Sequence, residues 1–229
     1  MKPIGNTGEK NCTRIEDLRQ RLVSCGLNCD GIRNEPQNGI MPRGIILDPD
    51  SSMGPDCIIV GINPGSSGKR EREYFLKNGP SYVSLKRYFF DDAKIYRTKY
   101  YEELRNFAKE IGFWDAILWT DLCKCENRIK GKSPPLQTFR ICVKKFLLEE
   151  LRLFPKPTLI AVGNQAFEAL SYMFPDRFII GVPHPTGSYG HFARLFDGKR
   201  KLKSEYKKMA KIAKDKHGNA NSVKIFPPL

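Results

Sequence analysis

The chain has 229 residues, of which 40% are hydrophobic, and its 39 Lys and Arg outnumber its 25 Asp and Glu to give a formal net charge of +14. This composition excludes a disordered chain, and no apolar run reaches the roughly 18–20 residues that a membrane span requires. The length suits one domain with a full core. We therefore predict a single domain over 1–229, with a loose tail at 1–13 and a short one at 217–229.

The cysteine content indicates in which cellular compartment the protein works, and the excess of basic residues indicates what kind of partner it binds. Seven cysteines, in a chain whose N-terminus lacks the apolar core of a signal peptide, argue against a disulfide framework and leave metal ligation or buried thiols. We expect a cytoplasmic protein, or a nuclear one if the source has a nucleus, with no membrane partner. The positive charge indicates a polyanionic partner, most often nucleic acid, although a basic surface without a dedicated partner has the same composition.

The predicted elements alternate between helices and strands. In chain order they are a helix at 14–25 with Thr13 as its N-cap, an edge strand at 44–47, a strand at 57–62, helices at 84–90 and 99–111, a strand at 116–120, a helix at 136–154, a strand at 158–162, a helix at 164–174, a strand at 177–181 and a basic helix at 195–216. Such alternation with short connections predicts parallel strands between helices. The expected fold is a three-layer α/β/α architecture with a central, mostly parallel four-stranded sheet.

Two turns follow predicted strands of this sheet. The strand at 57–62 runs into Gly61-Ile62-Asn63-Pro64-Gly65, and the strand at 177–181 leads to His184-Pro185-Thr186-Gly187. Because ligands of open α/β sheets bind beyond the carboxyl ends of the strands, both turns should open at one edge and share a site. Taken alone, the first is also compatible with an ordinary strand-to-helix turn, and His184 with a structural histidine.

Together these motifs resemble those of the uracil-DNA glycosylase superfamily. The first is similar to the Asn-containing form of the mismatch-specific branch, and the second to the His-Pro-Ser/Thr/Ala form of other branches. A third segment, at 119–125, is similar to the strand-then-Lys-Cys segment of the iron–sulfur branches (families 4 and 5), and 159–166 also resembles that group. The resemblance covers about residues 20–215.

The resemblance implies a monofunctional DNA glycosylase of base excision repair that hydrolyses the N-glycosidic bond of uracil, or of a related deaminated base, in DNA. Asn63 would position the attacking water, and His184 would donate to O2 of the departing base. Gly61 and Ile62 would line the base pocket. Since neither motif contains a lysine to form a Schiff base with the sugar, no lyase step is expected.

Two further residues would contact the extruded base. Phe75 stands where the family places its stacking phenylalanine, with Tyr74 as a competitor, although either could belong to the core. Asp121 occupies the position of an asparagine that reads the Watson–Crick edge of uracil. An ionised Asp only accepts hydrogen bonds, so it suits N3–H but repels O4 unless it is protonated or water-bridged. The base could therefore be another lesion, such as hypoxanthine or mispaired thymine, and a non-catalytic nucleic-acid-binding module is the remaining alternative.

The expected DNA surface surrounds the two motifs. By resemblance, the loop after His184 enters the space left by the flipped base, with Tyr189 as the wedge, although Tyr189 could instead pack on the C-terminal helix. Basic residues in the flanking loops suit phosphate contacts. The expected DNA-binding residues are Lys69, Arg70, Arg128, Lys130, Thr186, Gly187, Ser188 and Tyr189. The expected partner is DNA containing a deaminated base, bound by a monomer.

The resemblance also implies a cofactor. Cys25, Cys29, Cys125 and Cys142 match the four ligands of a 4Fe–4S cluster, except that the first pair is spaced Cys-x3-Cys where the family has Cys-x2-Cys. Four thiolates suit zinc as well as iron–sulfur, and four unrelated buried thiols remain an alternative. Such a cluster would be structural and would tie the N-terminal loop to the helix of Cys142. The other three cysteines are not expected to be ligands.

Overall fold

The computed structural model describes residues 7–49, 51, 54–94, 97–129, 131–187, 190–215 and 222–227. The helices are α1 Thr7–Val23, α2 Lys69–Asn78, α3 Tyr82–Lys86, α4 Lys99–Glu110, α5 Leu136–Cys142, α6 Leu148–Leu153, α7 Asn164–Met173 and α8 Ser204–Asp215. The strands are β1 Ile32–Arg33, β2 Ile46–Asp48, β3 Cys57–Gly61, β4 Ile117–Asp121, β5 Glu126–Asn127, β6 Thr158–Val162, β7 Ile179–Val182 and β8 Val223–Lys224. Wider π-helical turns extend α3 over Arg87–Asp92 and join α5 to α6 over Val143–Leu147.

The main sheet has the order β2-β4-β3-β6-β7-β8. The pairs from β4 through β8 are parallel, whereas β2 runs antiparallel to β4 at one edge. This confirms the three-layer, mostly parallel fold and the four predicted central strands. Within the described ranges the sheet has six strands and not the four predicted, because β2, which corresponds to the predicted edge strand, and β8 extend it at its two edges. The two residues of β8 are too few to produce a recognisable strand pattern.

The sheet is buried on both faces, which is why its strands read as continuous apolar runs. Alternate residues of β3 point to opposite sides. Ile58 and Val60 pack in a cluster with α1 and the α5–α6 segment, whereas Cys57 and Ile59 pack in a second cluster with α4 and Phe192. All five residues of β3 are buried. The carboxyl ends of β3, β4 and β7 are thereby held in fixed positions at one edge of the sheet.

Several helices differ from the sequence prediction. The first helix begins at Thr7 and not at Arg14, so Thr13 is an interior residue and 7–13 is not a loose tail. Helix α2 was not predicted, because only Glu71 and Phe75 of its ten residues are buried and it has no apolar stripe. The last helix begins at Ser204, after a short 3-10 turn at Ala193–Leu195. None of the helices in the described ranges is long and apolar enough to cross a membrane.

Candidate active site

A cavity of about 420 Å³ lies beyond the carboxyl ends of β3, β4 and β7. Asn63 and His184, from the two sequence motifs, both line it, as the strand directions predicted. The lining residues are Arg43, Gly44, Ile46, Gly61, Ile62, Asn63, Pro64, Gly65, Phe89, Tyr100, Tyr101, Trp119, Thr120, Asp121, His184 and Thr186. The structure thus brings together Gly61, Ile62, Asp121 and Thr186 with the two motif residues.

The side-chain amide of Asn63 is oriented by acceptors from the segment after β4. Its Nδ2 donates to Asn127 Oδ1 at 3.0 Å and to the Cys125 carbonyl at 3.4 Å, and it also lies 3.2 Å from the Pro64 carbonyl oxygen. With the NH2 end held in this way, Oδ1 is the end that can accept a hydrogen bond from a water molecule. Sequence reasoning missed Asn127, because the short β1–β5 pairing that places it leaves no pattern in the sequence.

His184 is half-buried and lines the same cavity. Its Nδ1 accepts from the backbone N–H of Thr186 at 3.3 Å and lies 3.2 Å from the Thr186 hydroxyl. Burial lowers the pKa of His184 below its ordinary value of 6.5, which favours the neutral ring. Because Nδ1 accepts a backbone hydrogen bond, the neutral ring carries its proton on Nε2. The histidine is therefore arranged as a neutral donor.

Asp121 faces Gly61 across the β3–β4 pair. A Cβ added at Gly61 would overlap Asp121 Oδ1 and lie 3.2 Å from the Tyr100 hydroxyl, so this position requires glycine. Burial raises the pKa of the Asp121 carboxyl from 3.8 to about 7, against the opposing effects of Lys124 and Arg43. The raised pKa makes the neutral form of the carboxyl accessible near neutral pH.

A buried ion pair lies beneath the end of β4. Lys124 and Glu150 are both fully buried, and Lys124 Nζ lies 2.7 Å from Glu150 Oε1. Lys124 also donates to the Asp121 carbonyl at 2.6 Å, and both partners bond the hydroxyl of Thr120. These contacts fix the backbone at the point where Asp121 enters the cavity. Sequence reasoning assigned neither residue of the pair a role in the site.

A second buried network holds the turn of the first motif. Arg43 pairs with Glu71 at 3.1 Å and with Glu126 at 2.9 Å, and it donates to the Gly65 carbonyl. Glu126 also pairs with Arg33 at 2.6 Å. Arg43 thereby connects α2, the segment after β4 and the Asn63 turn. Its partners come from distant parts of the chain, so no local sequence signal indicates them.

The aromatic wall of the cavity differs from the expected one. Phe75 is buried with its ring 5.4 Å from that of Tyr74 and 5.5 Å from that of Tyr88, and it is not among the lining residues. The structure therefore does not bring Phe75 to the cavity, because α2 turns this side chain into the core. Phe89, from the π-helical turn after α3, is the phenylalanine that lines the cavity.

Of the described residues expected to bind DNA, Thr186 lines the cavity. Thr186 and Gly187 are exposed beside His184. Lys69 lies 3.8 Å from Glu73 within α2, and Arg70 donates to the Asp92 carbonyl at 3.3 Å. Arg128 donates to the Ile32 carbonyl at 3.4 Å. Lys130, Ser188 and Tyr189 lie outside the described residues.

The four candidate ligand cysteines line a second cavity of about 250 Å³. Cys25 and Cys29 come from the loop after α1, Cys125 from the segment after β4, and Cys142 from the end of α5. Burial, together with the neighbouring thiols, raises the pKa of Cys125 far above its ordinary value of 9.0. Cys57 and Cys123 lie in the core.

In the described part of the chain no group of three or more His, Cys, Asp or Glu side chains is placed to hold a metal ion. The four cysteines share the lining of one cavity, and the cluster that the sequence suggests stays a prediction.

Comparison with known protein families identifies the superfamily of the chain. A family model described as the uracil DNA glycosylase superfamily matches residues 50–211, which is more than half of the chain and includes Asn63, Asp121 and His184. No curated protein matches the chain closely enough to be reported as a relative. The family match confirms the resemblance at the level of the superfamily, and the closer likeness to the iron–sulfur branches stays a prediction. The chain belongs to the uracil DNA glycosylase superfamily.

Proposed function

We propose that the protein is a monofunctional DNA glycosylase that hydrolyses uracil, or a related deaminated base, from DNA in base excision repair. Superfamily membership supports a glycosylase-type enzyme acting on DNA. The observation that carries the proposal is the placement of Asn63 and His184 in one cavity, each with its functional end oriented by hydrogen bonds. The formal net charge of +14 suits a polyanionic substrate.

In this reaction a water molecule attacks the electron-poor C1′ atom of the sugar. The C1′–N bond breaks with its electron pair leaving on the base, and the water oxygen bonds to C1′. Asn63 Oδ1 accepts a hydrogen bond from this water and places it, and the proton that the water loses passes to solvent. The lining of the cavity in the described residues contains no lysine, so hydrolysis without a covalent sugar intermediate fits the site.

His184 stabilises the leaving base. Negative charge develops on O2 of uracil as the bond breaks, and a neutral imidazole with its proton on Nε2 donates to that oxygen. A fixed donor aimed at developing charge contributes about 2.7–4 kcal/mol, or roughly a hundred- to thousandfold in rate. The lowered pKa of His184 keeps the ring in this neutral form at physiological pH.

The base must leave the helical stack to reach the cavity. We assign the stacking role to Phe89, in place of the Phe75 expected from the sequence, because Phe89 lines the cavity and Phe75 does not. Asp121 lies beside Gly61 where it can contact the edge of the base. Thr186 and Gly187, exposed next to His184, would face the DNA.

We also propose that Cys25, Cys29, Cys125 and Cys142 hold a 4Fe–4S cluster with a structural role. Their convergence on one cavity supports this assignment. The cluster would join the N-terminal loop to α5, and it takes no part in the hydrolysis. Purified protein should be brown with four iron and four sulfide per chain, and replacement of Cys142 by Ala should remove the colour. Colourless protein containing zinc contradicts the assignment.

A base-excision assay tests the function. An end-labelled oligonucleotide with one uracil, offered single-stranded, opposite guanine and opposite adenine, is incubated with the protein and then treated with hot alkali. Strand cleavage at the uracil is expected, with a loss of about a hundredfold or more for His184→Ala. Cleavage only of hypoxanthine or of mispaired thymine would favour the other lesions. Binding without an abasic product would favour a non-catalytic module, and the Asn63→Ala and His184→Ala double variant is the control for contaminating activity.

A further inference from the structure

Among the described residues that line the active-site cavity, Asp121 is the acidic one, and its carboxyl is confined there. Oδ1 lies against the Cα of Gly61, so closely that the position tolerates no Cβ, and the Tyr100 hydroxyl lies on the same side. The rings of Tyr100, Tyr101 and Trp119 also line this cavity. The carboxyl is therefore held against the end of β3, in a cavity lined in part by aromatic rings.

The cationic side chains near Asp121 form ion pairs with other carboxylates. Lys124 Nζ is bound by both oxygens of Glu150 and reaches only the backbone carbonyl of Asp121. Arg43 is bound by Glu71, Glu126 and the Gly65 carbonyl. In the described part of the chain no ion pair includes the Asp121 carboxyl. A carboxylate in this position would thus be charged, poorly solvated and without a partner of its own.

We propose that Asp121 reads the base as a neutral carboxylic acid, and that the protein therefore selects a base edge with one N–H donor next to one carbonyl acceptor. Its C=O accepts from N3–H of uracil, and its O–H donates to O4. This inference rests on the proposed function and specifies the base edge that the site reads. The neutral acid offers the same donor and acceptor pair as an asparagine amide, whereas an ionised Asp offers two acceptors and repels O4.

The inference makes uracil recognition dependent on pH. The charged and titratable groups that face Asp121 are Arg43, Tyr100, Tyr101, Lys124, Glu150 and His184. Burial raises the pKa of both tyrosines well above neutrality and lowers that of His184, so these three rings stay neutral around pH 7. Burial also raises the pKa of Asp121 to about 7, which makes it the group that changes charge in this range.

Single-turnover excision of uracil across pH, with the wild type compared with Asp121→Asn, tests the inference. The wild-type rate should fall about tenfold per pH unit above pH 7, because only the protonated fraction pairs with uracil. The Asn variant should keep its rate at high pH, since an amide does not titrate. A slope at acid pH that both proteins share belongs to His184, whose pKa is lowered below 6.5, and a shared slope at high pH belongs to the DNA. The exposed Asp115→Asn is the matched control, and its profile should equal that of the wild type.

Infrared difference spectroscopy supplies a readout that needs no activity. The infrared spectrum of the wild type, after subtraction of the Asp121→Asn spectrum, should contain the C=O stretch of a neutral carboxylic acid at pH 6. This band should disappear at high pH. If both proteins cleave uracil with the same pH profile and no acid band appears, the inference is wrong and the proposed function stands. If neither protein cleaves uracil or another deaminated base at any pH, the proposed function is wrong, and the base-reading role of Asp121 falls with it.

Discussion

Asn127 Oδ1 lies 3.0 Å from Nδ2 of Asn63 and accepts its hydrogen bond. The two residues are 64 positions apart in the chain, and Asn127 belongs to the segment that also carries Cys125. The same segment supplies a second acceptor, the Cys125 carbonyl. The orientation of the proposed water-positioning residue is thus set by the part of the chain that lines the cysteine cavity.

Asn127→Ala should slow base excision without weakening DNA binding. The variant removes one acceptor, so the Asn63 amide can rotate and present N–H in place of Oδ1 to the water. The loss of one such hydrogen bond corresponds to about 0.5–1.5 kcal/mol, or roughly a two- to tenfold decrease in kcat. Single-turnover kinetics measures it, with KM expected to stay near the wild-type value. Asn127→Asp keeps an acceptor and should recover most of the rate; equal losses in both variants would contradict an orienting role.

Gly61→Ala should damage both stability and activity. The new methyl group would overlap Asp121 Oδ1 and press on the Tyr100 hydroxyl. Overpacking of this kind costs about 1–3 kcal/mol in the free energy of unfolding, and displacement of Asp121 should reduce excision as well. Urea unfolding measures the first effect. Gly198→Ala, where an added Cβ meets no atom within 4 Å, is the matched control.

The contact between Gly61 and Asp121 can be tested by a double-mutant cycle. If Asp121 is the group that the methyl strikes, Gly61→Ala should cost less in an Asp121→Ala background than in the wild type. Equal costs in the two backgrounds would show that the clash is with another group.

The central fold was predictable because its signals are local. Strands β3, β4, β6 and β7 are buried runs of β-branched and apolar residues that end at turns, and each was predicted close to its observed position. Helix α2 carries no apolar stripe, so periodicity could not reveal it. The two-residue strand β8 is defined by its pairing with β7 and not by its own composition.

The site was predictable only where its residues belong to motifs. Asn63 and His184 follow strands whose directions bring them together, so their convergence could be expected. Arg43 and Asn127 act through contacts with residues distant in sequence, and nothing in their immediate neighbours indicates those contacts. The proposed stacking residue illustrates the same limit, since the family resemblance points to Phe75, whereas Phe89 lines the cavity.

Asp121 should also make the stability of the protein depend on pH. Its pKa is raised in the folded state, so the folded protein binds this proton more tightly than the unfolded chain does. The contribution is fully present below the unfolded pKa near 3.8 and is lost as the pH rises through about 7. Relative to Asp121→Asn, the free energy of unfolding of the wild type should fall by roughly 1–3 kcal/mol between pH 5 and pH 8. The fall is limited to this range because the carboxyl is partly accessible from the cavity. Urea unfolding at the two pH values measures this difference, and a constant difference would contradict the raised pKa.

The buried pair of Lys124 and Glu150 should be strongly coupled in stability. Removing one partner leaves the other charge buried without its counterion, which costs about 3–5 kcal/mol, so Lys124→Met and Glu150→Leu should each destabilise the protein severely. Together the two substitutions should cost much less than the sum of the single effects, because no uncompensated charge remains. The exposed pair of Lys69 and Glu73 is the matched control, with an expected coupling of at most about 1 kcal/mol. Chemical denaturation of the single and double variants measures both couplings, and additive effects at Lys124 and Glu150 would contradict the pairing. Since Lys124 also holds the Asp121 carbonyl, the double variant should recover stability without recovering the full rate of excision.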